Sequence, residues 1–314
     1  MPRSLILGVN GQDGSFLAEE LLRRGHEVVG IGRDPQSRYV AEEKGFSYRA
    51  HDLRDAEGLV PILADAAPDH VFHFAAVHGA AGFRYEPVWR DMLAVNVASL
   101  HVLLEHARLH APAMRVIYAG SSKVFPAPLS GVIDEDTEKR ATCLYGIGKM
   151  TARDLLLHYR AHHGIAVTNL IFFNHESARR PPGFFLTELA AGLGAALEDG
   201  NACMNVRTLD FRIDWSAADE LMGFVADIAM GSNEAEFVMA SGRTVHAREA
   251  VRILFERQGL DYRRHVRETS GAVECGPDFR VSIKRLERAV GRVPAKDVAG
   301  IVDDMLAARR LAKG

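Results

Sequence analysis

Three residues in this chain are spaced to do chemistry together: Ser121, Tyr145 and Lys149. Tyr145-Gly146-Ile147-Gly148-Lys149 sets a phenol and an ammonium four residues apart, on one face of a helix. A nearby positive charge favours the phenolate, so this spacing predicts a tyrosine with a lowered pKa, usable as an acid/base. Ser121, followed by Ser122, stands 24 residues before Tyr145 at the end of an apolar run. Its hydroxyl could hold a substrate oxygen beside the phenol. The same pair also arises on ordinary solvated helices, so the weight falls on what accompanies it.

What accompanies it is Gly8-Val9-Asn10-Gly11-Gln12-Asp13-Gly14. The segment follows the apolar run Leu5-Ile6-Leu7 and precedes a helical pattern, Phe16, Leu17, Leu21 and Leu22, that stops at Gly25. Strand, glycine turn and helix in that order make a dinucleotide site. The glycines let the backbone approach a pyrophosphate, whose charge sits on the helix N-terminus. Their spacing is G-x-x-G-x-x-G, not G-x-G-x-x-G. Asp13 reads as the helix N-cap and as a neighbour of the cofactor. At the end of the second strand, where NAD enzymes place an acid, stands Ile31-Gly32-Arg33, with Arg38 nearby. An arginine suits a 2′-phosphate, so NADP is expected, while Asp34 argues for NAD as the alternative. Asp52-Leu53 is expected against the adenine.

Composition narrows the class. The chain has 314 residues, 47% of them hydrophobic, enough for one large core and a smaller lobe. Net charge is -3 with no basic tract, which excludes nucleic acid as an expected partner. The 14 histidines show no metal-binding spacing; His73, His78, His162 and His163 read as surface or packing residues. Cys143, Cys203 and Cys275 are odd in number and far apart, which suggests a reducing compartment. With no signal peptide and no apolar membrane span, a soluble cytoplasmic protein is expected.

The elements that must position these residues alternate along the chain. Strands are expected at Leu5–Leu7, Glu27–Ile31, Phe46–Ala50, His70–Ala76, Met114–Ala119 and Ala166–Phe173, and a seventh at Phe237–Ala240. Helices are expected at about Trp89–His110, Tyr145–His163, Phe184–Leu197, Ala247–Gln258, Ser282–Val290 and Val298–Leu311. The alternation implies an α/β fold: a Rossmann-type doubly wound parallel sheet of about seven strands with a smaller C-terminal substrate-binding lobe. The expected division gives residues 1–173, with 205–245 returning, to the dinucleotide-binding domain. Residues 174–204 and 246–314 go to the lobe.

Here the chain resembles the extended short-chain dehydrogenase/reductases, and within them the GDP-mannose 4,6-dehydratase branch. Gly8–Leu17 resembles that branch's G-x-T-G-Q-D-G-S-Y-L, and Phe173–Arg180 its F-N-H-E-S-P-R-R. Ala75-Ala76, Val95-Asn96, Leu209-Asp210, Asp214-Trp215, Val238–Gly242 and Arg248-Glu249 follow it in order. The resemblance implies a nicotinamide cofactor and a nucleoside-diphosphate hexose oxidised at C4. Tyr145 would be the base, Lys149 would hold the ribose and tune Tyr145, and Ser121 would hold O4. Gly8, Gly11, Gln12, Asp13, Gly14, Arg33, Asp52, Leu53 and Ala75 would complete the cofactor site. Ser122, Lys123, Asn174, Glu176, Arg180 and Arg212 would meet the substrate. Glu176 and Arg180 could instead form a structural ion pair, and Asn174 a strand-end turn.

One departure bears on the reaction. The branch reads T-S-E where this chain has Ser121-Ser122-Lys123. The glutamate would take the C5 proton during loss of water, and a protonated lysine cannot. Lys123 could also pair with an acidic neighbour at the rim. Further, Ile213 replaces the arginine of R-D-W, with Arg212 adjacent, and a basic residue near Glu188-Leu189 associated with guanine is missing. The expectation is a C4 oxidoreductase or epimerase. A dehydratase with another base and a non-catalytic nucleotide sensor are the alternatives. The long helices at about 89–110 and 145–163 and the short Arg33–Asp52 segment favour a homodimer.

Overall fold

The structure, a computed structural model, describes residues 1–42, 44–80, 82–270 and 276–312, so Cys275 lies outside it. Its centre is a seven-stranded sheet of β1 (Arg3–Leu7), β2 (Glu27–Gly32), β3 (Phe46–Ala50), β4 (His70–His73), β5 (Arg115–Ala119), β7 (Val167–Phe172) and β11 (Glu236–Met239). The order is β11-β7-β5-β4-β1-β2-β3 and every pairing is parallel. Parallel strands covered on both faces bury both sets of side chains, which is why Leu5-Ile6-Leu7 reads as an unbroken apolar run and why all of Val167–Phe172 is buried, Thr168 and Asn169 included. The chain fills one side of β1 with β2 and β3, then crosses to β4. This reversal opens a crevice at the carboxyl ends of β1 and β4.

Helices cover both faces. One face carries α2 (Leu59–Ala66), α3 (Trp89–Leu93), α4 (Ser99–His110) and α5 (Leu144–His163), packed through Leu63, Leu100, Leu103 and Leu156. The expected helix from Trp89 to His110 is thus present, but Ala94–Ala98 within it forms a π turn. The other face carries α1 (Gln12–Arg23) and α7 (Ala218–Gly231), joined through Leu17, Leu21, Leu221, Phe224 and Val225. No helix among the described residues is long and apolar enough to cross a membrane.

A smaller lobe has its own core, built by α6 (Phe185–Glu198), α8 (Ala247–Glu256), α9 (Tyr262–His265) and α11 (Val298–Leu311) around Leu189, Trp215, Val251, Phe255 and Ile301. α10 (Lys284–Val290) differs from the sequence expectation: Leu286 inserts into the α1/α7 core, so this helix packs on the sheet's side. Short pairings tie the parts together: β8 (Asn174–Glu176) and β12 (Thr244–His246) on either side of β10 (Arg212–Ala217), β9 (Met204–Val206) with β13 (Val266–Glu268), and β6 (Gly131–Ile133) with β14 (Phe279–Val281).

Candidate active site

The crevice predicted by the strand order is floored by backbone. Gly8 leaves β1 with φ +90°, and a Cβ there would lie 2.6 Å from the Ala75 nitrogen. Gly14 sits in the first turn of α1, where a Cβ would lie 2.3 Å from the Gly8 carbonyl oxygen. Only glycine allows both approaches. The α1 N-cap is Gly11, which offers no side-chain cap bond, so the first amides of the helix face the crevice. This main-chain cradle fits a dinucleotide pyrophosphate.

Asp13 is therefore not the cap. Its carboxylate meets His175 Nε2 at 3.0 Å through both oxygens. Burial would raise Asp13, but the charge and hydrogen bond of His175, with help from Gln12 and Arg180, leave it below the usual carboxylate range. Burial would lower His175, and Asp13 overrides that to raise it. Gln12 Nε2 donates to the His175 carbonyl at 3.2 Å, and Ser177 Oγ donates to Gln12 Oε1 at 2.8 Å. The glycine turn and the Asn174–Ser177 segment are thus locked together across the sheet's end.

Ser121, Tyr145 and Lys149 line one cavity of about 220 Å³ with Gly8, Gly11, Gln12, Asp13, Gly14, Ser122, Lys123, Asn174 and Arg180. Ser121 follows β5 by two residues in an extended conformation and caps the single turn Ser122–Val124, its Oγ accepting from the Lys123 N–H at 3.2 Å. Cys143 caps α5, its Sγ accepting from the Gly146 N–H at 3.4 Å, which sets Tyr145 in the first turn. Cys143 and Cys203 are both free thiols.

The Tyr145 phenol is shifted up, against the expected lowering. Burial raises the phenol, Tyr85 adds to this, and Arg180 and the nearby Ser121 hydroxyl pull against it. The Lys149 ammonium faces elsewhere: it donates to the Ala119 carbonyl at 2.6 Å and to Tyr118 Oη at 3.1 Å, and lies 5.6 Å from the Tyr145 ring centre. Burial pulls Lys149 down to about 7, with Asp13 opposing. Tyr118 Oη in turn donates to the Asn96 carbonyl at 2.8 Å, in the π turn.

Other expected residues fall in different places. Glu176 is 2% exposed and does not line the cavity; its Oε2 lies 3.4 Å from Arg180 Nε, so it forms the ion pair and meets the cavity only through that arginine. Burial raises the Glu176 carboxyl, and Arg180 opposes this. Asn174 is exposed on β8 and lines both the first cavity and an adjoining one of about 670 Å³. Lys123 lines both as well. Arg212 borders only the second, paired with Asp278 at 2.6 Å. Arg33 is exposed, and Arg38 is tied to Asp34 at 2.9 Å. Asp52 is held by Arg54 at 2.6 Å, which lowers its carboxyl, while Leu53 is buried in the α2/α4 core. Ala75 stands opposite Gly8.

The sequence reading left out Tyr85 and took His78 for a surface or packing residue. The His78 ring stacks on Tyr145 with centroids 4.5 Å apart, and its Nδ1 is hydrogen-bonded to Tyr85 Oη at 2.8 Å. Tyr85 stacks on Tyr145 at 5.5 Å. His73, by contrast, is a packing residue, bonded to Ser99 Oγ at 2.7 Å. Among the described residues no group of three or more His, Cys, Asp or Glu could hold a metal.

Comparison with known proteins agrees with this geometry. A family model described as GDP-mannose 4,6 dehydratase matches residues 5–295. The GDP-mannose 4,6-dehydratase of Vibrio cholerae serotype O1 is 29% identical over 279 residues, spanning 82% of this chain and 72% of that protein. The fold of UDP-glucose 4-epimerase from Thermotoga maritima, solved with UDP-glucose, matches with a TM-score of 0.84 at 17% identity, covering 99% of this chain and 100% of that one. RMD from Pseudomonas aeruginosa, complexed with NADPH, matches with a TM-score of 0.78 at 18% identity over 98% of each. The chain therefore belongs to the GDP-mannose 4,6-dehydratase family of extended short-chain dehydrogenases/reductases, NAD(P)-dependent enzymes of the nucleotide-sugar epimerase/dehydratase class.

Proposed function

We propose that this enzyme interconverts the C4 alcohol and ketone of a nucleoside-diphosphate hexose, as an oxidoreductase or C4-epimerase, without expelling water from C6. The observation that carries this reading is a Ser121, Tyr145 and Lys149 site whose neighbour at position 123 is a lysine. A bound nicotinamide supplies the hydride chemistry that the side chains lack. Ser121 holds the C4 oxygen against the phenol, and Tyr145 exchanges its proton. Burial raises the Tyr145 phenol, which keeps its proton available to a ketone oxygen. Lys149 lies near its midpoint at neutral pH, and its charged form is the local cation that stabilises the phenolate when Tyr145 acts as base. Position 123 offers a lysine where removal of the C5 proton in dehydration would call for a carboxylate.

The test is GDP-mannose with oxidised cofactor, since the curated relatives carry that name. Multiple turnovers to a 4-keto-6-deoxy sugar would replace this reading with a dehydratase. A ketone in a single turnover, or exchange of configuration at C4, supports it. NADP is the proposed cofactor: with Arg38 tied to Asp34, Arg33 remains for a 2′-phosphate. Calorimetry should find NADP bound more tightly than NAD by roughly 1–3 kcal/mol. Equal affinity removes Arg33 as the selector.

A further inference from the structure

Lys123 is rooted beside the reacting atoms. It is the second residue of the turn that Ser121 caps, and it lines both the Tyr145 cavity and the adjoining one. Enclosure against its ring neighbours lowers the His78 imidazole, and the charges of Arg180, Lys149 and Lys123 add to this. The other cations of the reactive cavity are engaged: Lys149 with Ala119 and Tyr118, Arg180 with Glu176, and His175 with Asp13. Lys123 makes no ion pair among the described residues. A cation left uncompensated beside balanced neighbours selects an anion from the ligand.

Which anion follows from the ring. With the C4 hydroxyl at Ser121 and Tyr145, the diphosphate leaves from C1, on the far side. The groups near C4 hang from C3 and C5, and of these only a C6 carboxylate is anionic. A hexuronate also has no C6 hydroxyl to expel, so it needs no carboxylate base at position 123. Resting on the C4 reading above, we propose that the preferred substrate is a nucleoside-diphosphate hexuronate whose C6 carboxylate pairs with the Lys123 ammonium. The pair orients the ring and takes no part in proton transfer.

The experiment compares GDP-mannose with GDP-mannuronic acid, and UDP-glucose with UDP-glucuronic acid, on the cofactor-loaded full chain. Calorimetry and kcat/KM are read for each. One hexuronate should bind at least about tenfold more tightly than its hexose, a ratio that Lys123→Gln erases and Lys123→Arg keeps. Equal affinity for hexose and hexuronate, or a ratio that survives Lys123→Gln, overturns the assignment and leaves the C4 reading standing. A loss in Lys123→Gln that is the same for both sugars and for the free nucleoside diphosphate makes Lys123 a diphosphate ligand, and also overturns it. If none of the four sugars binds or reduces the cofactor, the C4 reading falls too.

Discussion

In the proposed reaction Tyr145 both gives and takes a proton, and burial holds its phenol above the ordinary range. Replacing it with Phe keeps the ring between His78, Tyr85 and the α5 face, so fold and cofactor binding should survive. Turnover on the substrate should fall by about 10²–10⁴, the usual contribution of a positioned acid/base. Activity within a few-fold of the parent would assign the proton transfer to another group. Lys149 gives a second, independent readout. Its folded value of about 7 lies well below that of a free lysine, about 10.4. Between those values the unfolded chain binds a proton that the folded chain does not, so stability rises with pH across that window. Below about pH 7 the burial of the charged ammonium opposes folding in full. Lys149→Met should therefore raise Tm most at about pH 6 and progressively less towards about pH 10. A Tm difference independent of pH would mean the lysine is not buried as a charge-capable group.

At the scale of elements, the cradle depends on the β1–α1 junction being free of side chains. Gly14→Ala places a methyl group against the Gly8 carbonyl, and the overpacking should destabilise by about 1–3 kcal/mol and weaken cofactor binding. Gly11→Ala, whose nearest contact would be 3.2 Å, should be milder. Urea unfolding and cofactor titration on both variants decide this; equal losses would deny the asymmetry. These elements were legible in the sequence because buried parallel strands read as apolar runs closed by glycine turns. α7 was not legible: no side chain caps its start, and eight of its residues are buried, so no clean stripe marks it. α2 was missed because eight residues with Pro61 near the start carry little periodicity. The Ser121, Tyr145 and Lys149 set was readable from its spacing together with the glycine turn at Gly8–Gly14. His78 and Tyr85 were not, since they lie in irregular chain between β4 and α3, where no period fixes a direction. The partner of Asp13 was hidden because His175 is 162 residues away.

For the whole molecule, the outer faces of α4 and α5 leave Ile147 and Leu109 exposed, at 45% and 55%. We propose a homodimer packed through these helices. Sedimentation should give twice the 34.5 kDa chain mass, and Ile147→Asp should shift it towards one chain. A parent that sediments as a single chain at micromolar concentration would end that proposal. The glycine cradle has a consequence for how such an enzyme can diverge. Its contacts are made by main chain, so the floor around Gly8 and Gly14 has almost no side chains through which mutation can retune it. The adjoining cavity is the opposite, lined by Lys123, Asn174, Arg207 and Arg212 on short turns and strand ends. Lineages built on this plan can exchange one sugar for another while the cofactor floor stays still. A library randomised at both ends and selected for turnover should return glycine at positions 8 and 14 and a spread of residues at 123, 174, 207 and 212.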